Sequence, residues 1–400
     1  MISVAEALEK IREHRGHYGD ESVELMTATG CMLAQDIVAD RDFPPFDRVT
    51  MDGIAIAGKS FAAGRRVYKI EGVQPAGHPQ KTLQDTANCI EVMTGAVLPL
   101  GCDTVIPYED CQIEDHVASI QIDTITAGQN IHPKASDEKA EQLLVKAGTK
   151  ITPSIIAIAA TVGLEKIRIR RLPRMAICST GDELVAIHTI PQDHQIRRSN
   201  SYMLSAALSN ANITSTMYHL PDHPEEMKRQ LVEMIPDYDV LLFSGAVSKG
   251  KFDYLPQVLD DLGMETVFHR VAQKPGKPLL FGKFKSGPVV FGFPGNPVST
   301  LVCFQVFFKA WLYASLQIDP PALTARLATD FSFKPALSYH LPVTVTVENG
   351  CLWATPNAGS NSGDMVSLAR TTAVITLPPD RQEFKKEEVF PLTWLQEPFV

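Results

Sequence analysis

The chain has 400 residues, 44% of them hydrophobic and 21% charged, with a formal net charge of −9 at pH 7. That length implies two to four domains, and the composition excludes a disordered chain. The acidic balance argues against nucleic acid as a partner and gives no reason to expect an anionic membrane surface.

Ser3 with Glu6 three residues on is a capping-box signal, and the pattern behind it predicts a helix over 3–16 with no signal peptide. Residues 23–41 read as a turn at Thr29-Gly30 leading into an extended segment. Phe43-Pro44-Pro45-Phe46 and the Asp52-Gly53 turn read, from their residues alone, as a rigid linker. Residues 53–139 alternate short strands with Gly/Pro turns and predict a small all-β domain. Met93-Thr94-Gly95 ends one of those strands, where the threonine either forms a turn or faces a ligand. Seven cysteines are scattered without a CxxC spacing, which reads as reduced thiols of a cytoplasmic protein rather than a disulfide framework or zinc site.

Thr152-Pro153 starts a predicted helix, and MAICST after Pro173 reads as the first strand of an α/β domain. That strand ends in Ser179-Thr180-Gly181-Asp182-Glu183. Ser199-Asn200-Ser201 reads as a cap for the helix YMLSAALSNA. The strand TSTMYHL ends at Asp222, and the helix PEEMKRQLVEMI follows. Strands and helices alternating at this spacing predict a doubly wound parallel sheet. The run Asp239 to Phe243 stops in a loop of small residues, Ser244 to Gly250. A helical pattern follows, with Asp253 placed in its first turn. Strand, glycine-bearing loop and helix form a geometry suited to an anion. A second such unit is PVVFGF ending in Pro294-Gly295-Asn296-Pro297. Between the two lies Lys274-Pro275-Gly276-Lys277-Pro278. Acidic residues at three strand ends (Glu183, Asp222, Asp253) beside two lysines suggest a site for Mg2+ and phosphate; the plainer reading is that each carboxylate caps its own helix. Leu301 to Leu316, interrupted by Gln305 and Lys309, reads as a buried helix too short and polar to span a membrane. After Asp319-Pro320-Pro321 the pattern changes to strands, predicting a separate C-terminal β domain.

PPFDRVTMDGIAI, EVMTGAVLPLGCDTVIP, STGDEL, RRSNSYML, FSGAVSKGKFDY, KPGKP and GFPGNPVS together resemble the MoeA and gephyrin E-domain family of molybdopterin molybdenumtransferases across nearly the whole chain. The resemblance implies a MogA-like doubly wound α/β domain (1–19 and 169–319), a β domain (41–139), an elongated linking domain (20–40 and 140–168) and a C-terminal β domain (320–400). It also implies insertion of molybdate into adenylylated molybdopterin, with Mg2+-dependent loss of AMP. By the same resemblance, Ser179, Thr180, Gly181 and Asp182 would bind the pterin. So would Ser244, Gly245, Ser248, Gly250, Lys274, Gly276, Lys277 and the Pro294, Gly295, Asn296, Pro297 loop. Asp222, Asp253 and Glu183 would hold the metal and serve catalysis. Asp52 and Thr94 would be supplied by the other subunit of a homodimer with a shared active site, and Asp137 matches a further active-site aspartate. A molybdopterin adenylyltransferase and molybdoenzyme acceptors are the implied partners. The chain departs from the family at Ala246 and Lys249 of the glycine loop, at His132 to Ser136 before Asp137, and in PALSYHLPVTV, which has no arginine. A pterin-binding scaffold of the same fold with weakened turnover is the alternative those departures leave open.

Overall fold

The computed structural model describes residues 1–245, 247, 253–357 and 363–396. The chain forms two compact units, one of Met1–Glu21, Gly30–Met32 and Ile169–Val400, the other of Ser22–Thr29 and Leu33–Arg168.

In the first unit, helix α1 (Val4–Glu13) opens with the expected capping box: the Ser3 hydroxyl accepts from the Glu6 N–H, and the Glu6 side chain accepts from the Ser3 N–H. The unit is built on a six-stranded sheet. In chain order its elements are β1 (Met175–Thr180), α2 (Asn200–Ser209), β2 (Ser215–Leu220), α3 (Pro224–Met234) and β3 (Val240–Ser244). They continue with α4 (Leu255–Asp261), β4 (Met264–His269), β5 (Leu280–Phe284), β6 (Val289–Phe293) and the helix Pro297–Leu316, α5. The spatial order is β2-β1-β3-β6-β5-β4. The first four strands are mutually parallel. The last two run antiparallel, so the wholly parallel sheet expected from the alternation of strands and helices holds only on one side.

Both faces of the sheet are covered, which is why its strands read as continuous apolar runs. Met175, Ile177, Val240 and Leu242 pack with Ile11, Leu204, Leu208, Phe308 and Trp311 on one face. Their neighbours Ala176, Cys178, Leu241 and Phe243 pack with Met227, Leu231, Leu255 and Leu259 on the other. Each such fully buried large side chain stabilises the unit by about 2 kcal/mol relative to exposure. The helix α5 opens at Pro297, next to the Val298 at which the apolar helical pattern begins, and carries a π-helical turn at Phe304–Phe308. At 20 residues it is long and apolar enough to cross a membrane by length and composition, but 67% of that stretch is buried within the protein. It is a core helix. A second correction concerns Asp253. Helix α4 starts at Leu255 with Tyr254 as its N-cap residue, so Asp253 precedes the helix instead of sitting in its first turn.

The C-terminal strands Thr324–Leu327, Ser338–Glu348, Cys351–Pro356, Ala373–Leu377 and Val389–Trp394 close into a barrel, because Ser338–Glu348 pairs with both Cys351–Pro356 and Ala373–Leu377. Closure leaves no edge among these five except where the short strand Gln273–Lys274 adds in parallel to Ser338–Glu348.

The second unit carries its own six-stranded sheet. Gly53–Ile56 lies between Cys89–Val92 and Thr104–Pro107. Ile54, Ile56, Tyr68, Cys89 and Ile106 form a buried cluster on one face. Residues 53–139 are mostly short strands, as the sequence predicts, with a short helix at Gly58–Ala62 that it does not. In the same unit Ile37–Val38 pairs antiparallel with Leu143–Val145, and Pro153 opens the helix Pro153–Thr161 as read from the sequence.

Candidate active site

Strand order reverses at β1, with β2 on one side and β3 on the other. In open α/β sheets that reversal leaves a crevice at the carboxyl ends of the strands. Here the crevice is a cavity of about 800 Å³. Ser179, Thr180, Gly181 and Glu183 reach it from the end of β1, Asp222 from β2, Ser244 and Gly245 from β3, and Pro294, Gly295, Asn296 and Pro297 from β6. Asp253 completes that wall, and Arg197, Arg198 and Asn200 enter from the start of α2.

The wall is polar in a specific way. Thr180 is 4% exposed, and its Oγ1 has no hydrogen-bond partner among the described residues. Asn200 Oδ1 and Arg198 Nε are buried and without partners in the same sense. The Asn200 amide cannot turn to relieve this. Its Nδ2 donates to Ser244 Oγ at 2.9 Å, to the Gly295 carbonyl at 2.7 Å and to Thr300 Oγ1 at 3.4 Å. One side chain thus ties the β3 and β6 loops together and offers its remaining oxygen as an acceptor. Buried polar atoms are ordinarily paired, and all three of these belong to residues that line the cavity. Gly245 has φ +101°, and a Cβ there would meet Thr180 Oγ1 at 2.8 Å. Only glycine gives this loop both the left-handed conformation and the close approach.

Electrostatics divide the cavity. Asp222 and Asp182 exchange backbone contacts, the Asp222 N–H donating to Asp182 Oδ1 at 3.1 Å and the Asp182 N–H to Asp222 Oδ2 at 3.4 Å. Burial pushes the Asp222 carboxyl above its ordinary range, and repulsion from Asp182, Glu183 and Asp253 adds to it. Asp182 is exposed and does not line the cavity, contrary to the pterin contact expected of it. Arg197 and Arg198 bring positive charge to this cavity in a chain of net charge −9. His219 approaches Ser179 Oγ at 3.2 Å through Nδ1, and burial with the nearby Arg198 charge lowers its pKa. Among the described residues, no group of three or more His, Cys, Asp or Glu could hold a metal ion by itself. Glu183, Asp222 and Asp253 share one cavity without forming a closed ligand set.

Lys274, Gly276 and Lys277 line a second cavity of about 480 Å³, which shares Pro278, Pro294 and Asn296 with the first. The lysine loop does not follow a parallel strand, as the sequence suggests. It precedes β5, which is antiparallel to β6 with Leu280 opposite Gly292, and so reaches the same sheet edge from the opposite direction. Lys274 Nζ lies 5.6 Å from the ring centroids of both Phe333 and Tyr339. Ser248 and Gly250, with Ala246 and Lys249, lie outside the described residues.

The remaining predicted residues belong to the second unit. Thr94 donates to Asp52 Oδ1 from both its N–H and its hydroxyl, at 2.6 Å each. These bonds, the hydroxyl's first, hold the Asp52 carboxyl below its ordinary range. Asp137 Oδ1 lies 2.7 Å from His132 Nε2, and His132 Nδ1 lies 3.0 Å from Arg48 Nη2. The sequence reading passed over Arg197, Arg198 and Asn200 as site residues, taking residues 199–201 as a cap. Ser199 in fact makes no side-chain cap bond. The signal available was two arginines and an asparagine together ahead of an apolar helix.

Three family models match the chain: MoeA N-terminal region (domain I and II) over residues 2–163, a probable molybdopterin binding domain over 176–314, and MoeA C-terminal region (domain IV) over 324–393. A molybdopterin molybdenumtransferase from a Synechocystis strain is 42% identical over 399 residues, covering 98% of this chain and 99% of the relative. One from Staphylococcus epidermidis is 29% identical, covering 96% and 93%. Two solved structures of a molybdopterin biosynthesis moeA protein from Pyrococcus horikoshii superpose with TM-scores of 0.83 and 0.82 at 28% and 26% identity. They cover 99% and 98% of this chain, and 99% and 100% of their own. The chain belongs to the MoeA family of molybdopterin molybdenumtransferases, enzymes of molybdenum cofactor biosynthesis.

Proposed function

We propose that the chain inserts molybdate into adenylylated molybdopterin and releases AMP, as a cytoplasmic homodimer. The observation that carries this reading is the pair of buried, unpartnered oxygens, Thr180 Oγ1 and Asn200 Oδ1, in the wall of a cavity that also bears arginines and carboxylates. Thr180 and Asn200 orient the substrate through its N–H and O–H groups. Arg197, Arg198, Lys274 and Lys277 counter its phosphate charge. Gly245 lets the loop backbone come close to it. In the cleavage step the anhydride P–O bond breaks, a water oxygen takes its place on phosphorus, and AMP leaves with the bonding pair. Asp222, Asp253 and Glu183 are the residues that would hold Mg2+. The fit is in donor chemistry: Mg2+ takes oxygen ligands and commonly uses one or two carboxylates with substrate phosphates completing its shell, and the raised Asp222 carboxyl is relieved by a cation. When bound, Mg2+ would neutralise charge developing on the phosphate oxygens.

Asp52 and Thr94 of a second copy would complete the site, and Asp137 with His132 would act from the same unit. Substrate would be received from a molybdopterin adenylyltransferase and product passed to molybdoenzyme acceptors. The test is AMP release from adenylylated molybdopterin by purified protein with Mg2+ and molybdate. Turnover that requires both additions is the expected result. Tight substrate binding without AMP release would replace the enzyme by the scaffold, the reading that the absence of arginine from 335–345 favours.

A further inference from the structure

His340 is fully buried in the barrel strand Ser338–Glu348, at 0% exposure. It is nevertheless wired to the lysine loop of the site. Its Nδ1 lies 3.0 Å from Thr376 Oγ1 and its Nε2 lies 3.0 Å from Gln273 Oε1. Gln273 is 1% exposed and stands directly before Lys274, and its Nε2 donates to the Gly276 carbonyl at 2.8 Å. The amide has only one workable orientation. Turned over, it would set its carbonyl oxygen against that of Gly276 with no proton between them. Gln273 Oε1 therefore faces the imidazole, and a carbonyl oxygen only accepts. The proton must sit on His340 Nε2, and Nδ1 must accept from the Thr376 hydroxyl. The order is Thr376 O–H to Nδ1, Nε2–H to Gln273 Oε1, Gln273 N–H to Gly276 O. The Gln273 amide, which carries two protons, also donates to Cys303 Sγ at 3.5 Å, and the chain ends on the glycine between the two lysines.

The start of the loop is pinned separately. Gln273 and Lys274 pair in parallel with Ser338 and Tyr339, and Lys274 extends over the rings of Phe333 and Tyr339. Gly276 sits at φ +82°, and an added Cβ there would run into Cys303 Sγ and Gln273 Nε2, so the middle of the loop admits only glycine. We propose that His340, held as the Nε2–H tautomer, is a positioning residue that sets the path of the Lys274 to Lys277 loop and thereby the grip on the anionic substrate. The proposal rests on the reading that these lysines face that substrate. Full burial without a charge partner pushes the imidazole pKa down to about 4, which keeps the ring neutral and the proton order intact at neutral pH.

Two measurements test it. In 15N-histidine-labelled protein, the His340 ring should show the neutral Nε2–H tautomer at pH 7; an Nδ1–H tautomer or an imidazolium would overturn the proton order. In steady-state assays, His340→Leu should raise KM for adenylylated molybdopterin roughly tenfold, the cost of an unmet buried hydrogen bond, and leave kcat nearly unchanged. His340→Gln, whose side-chain amide can still donate toward Gln273 Oε1, should restore KM to within about twofold of wild type. Equal KM in all three proteins, or equal loss in both variants, would overturn the positioning role. Wild-type protein that released no AMP would instead refute the proposed function, and the ring tautomer would still decide the proton order.

Discussion

Thr180 shows how a residue can be poorly placed for stability and well placed for binding. Its hydroxyl is buried without a partner among the described residues, a state that costs about 1–3 kcal/mol until something bonds it. Thr180→Val keeps the branched shape and removes that cost. The variant should melt at the same temperature or higher, while substrate affinity falls roughly tenfold; calorimetric melting and titration of adenylylated molybdopterin read the two effects separately. Asp222 makes the same point with charge. Its folded pKa is raised by burial and by Asp182, Glu183 and Asp253. The folded state therefore holds the proton more tightly than the unfolded one. Its stabilising contribution is present below the unfolded pKa and is lost as pH rises through the folded value. At pH 7 the ionised carboxylate is a burden, so Asp222→Asn should raise Tm in Mg2+-free buffer. Added Mg2+ should raise Tm of the wild type more than that of the variant; equal gains would show that Asp222 does not face the cation. Neither residue betrayed this in the sequence, where Thr180 is one small residue at a strand end and Asp222 reads equally as a cap. The unpaired hydroxyl and the neighbouring carboxylates exist only after β1, β2 and β3 align.

Among the elements, those whose signal is local were legible. The Ser3 and Glu6 box, the Thr152-Pro153 helix start and the apolar runs of β1, β3 and β6 need only a few neighbours to specify them. The antiparallel edge was not legible, because β4 and β5 differ from parallel strands in their partners, not in their residues. The onset of α4 is misplaced in the sequence for a similar reason: Phe252 fits the apolar spacing of Leu255, Val258 and Leu259, and no residue there fixes where the helix begins. The barrel strand Ser338–Glu348 was read as a strand, but its buried histidine acquires meaning only against Gln273. That histidine carries a pH signature. Its folded pKa, pushed down to about 4, lies below the unfolded value of 6.5. Its contribution to stability is whole above the unfolded pKa and drains away as pH falls through the folded one, with a slope approaching about 1.4 kcal/mol per pH unit. Urea titrations between these two pH values should show that slope in wild type and a shallower one in His340→Gln. Parallel slopes would mean that the ring reaches water before global unfolding.

For the whole molecule, the open matter is which chain supplies Asp52. The carboxylate is exposed, and both bonds from Thr94 hold it ionised. An exposed acid kept charged and oriented by a neighbouring hydroxyl serves no core, and a second copy of the chain is the partner proposed for it. If a second copy provides that contact, each active site combines Glu183 of one chain with Asp52 of the other. Asp52→Ala and Glu183→Gln homodimers should each be nearly inactive. Unfolded together in equal amounts and refolded, half of the dimers are mixed, and each mixed dimer holds one site with both lesions and one with neither. AMP release should then recover to roughly a quarter of the wild-type rate, a level that separately refolded mutants never reach when combined afterwards. A site assembled within one chain predicts no recovery at any mixing ratio, because every site would still carry a lesion. Differently tagged subunits, purified through both tags, sharpen the contrast: the isolated mixed dimer should approach about half the wild-type rate, and its silence would return Asp52 and Thr94 to a structural role in their own sheet.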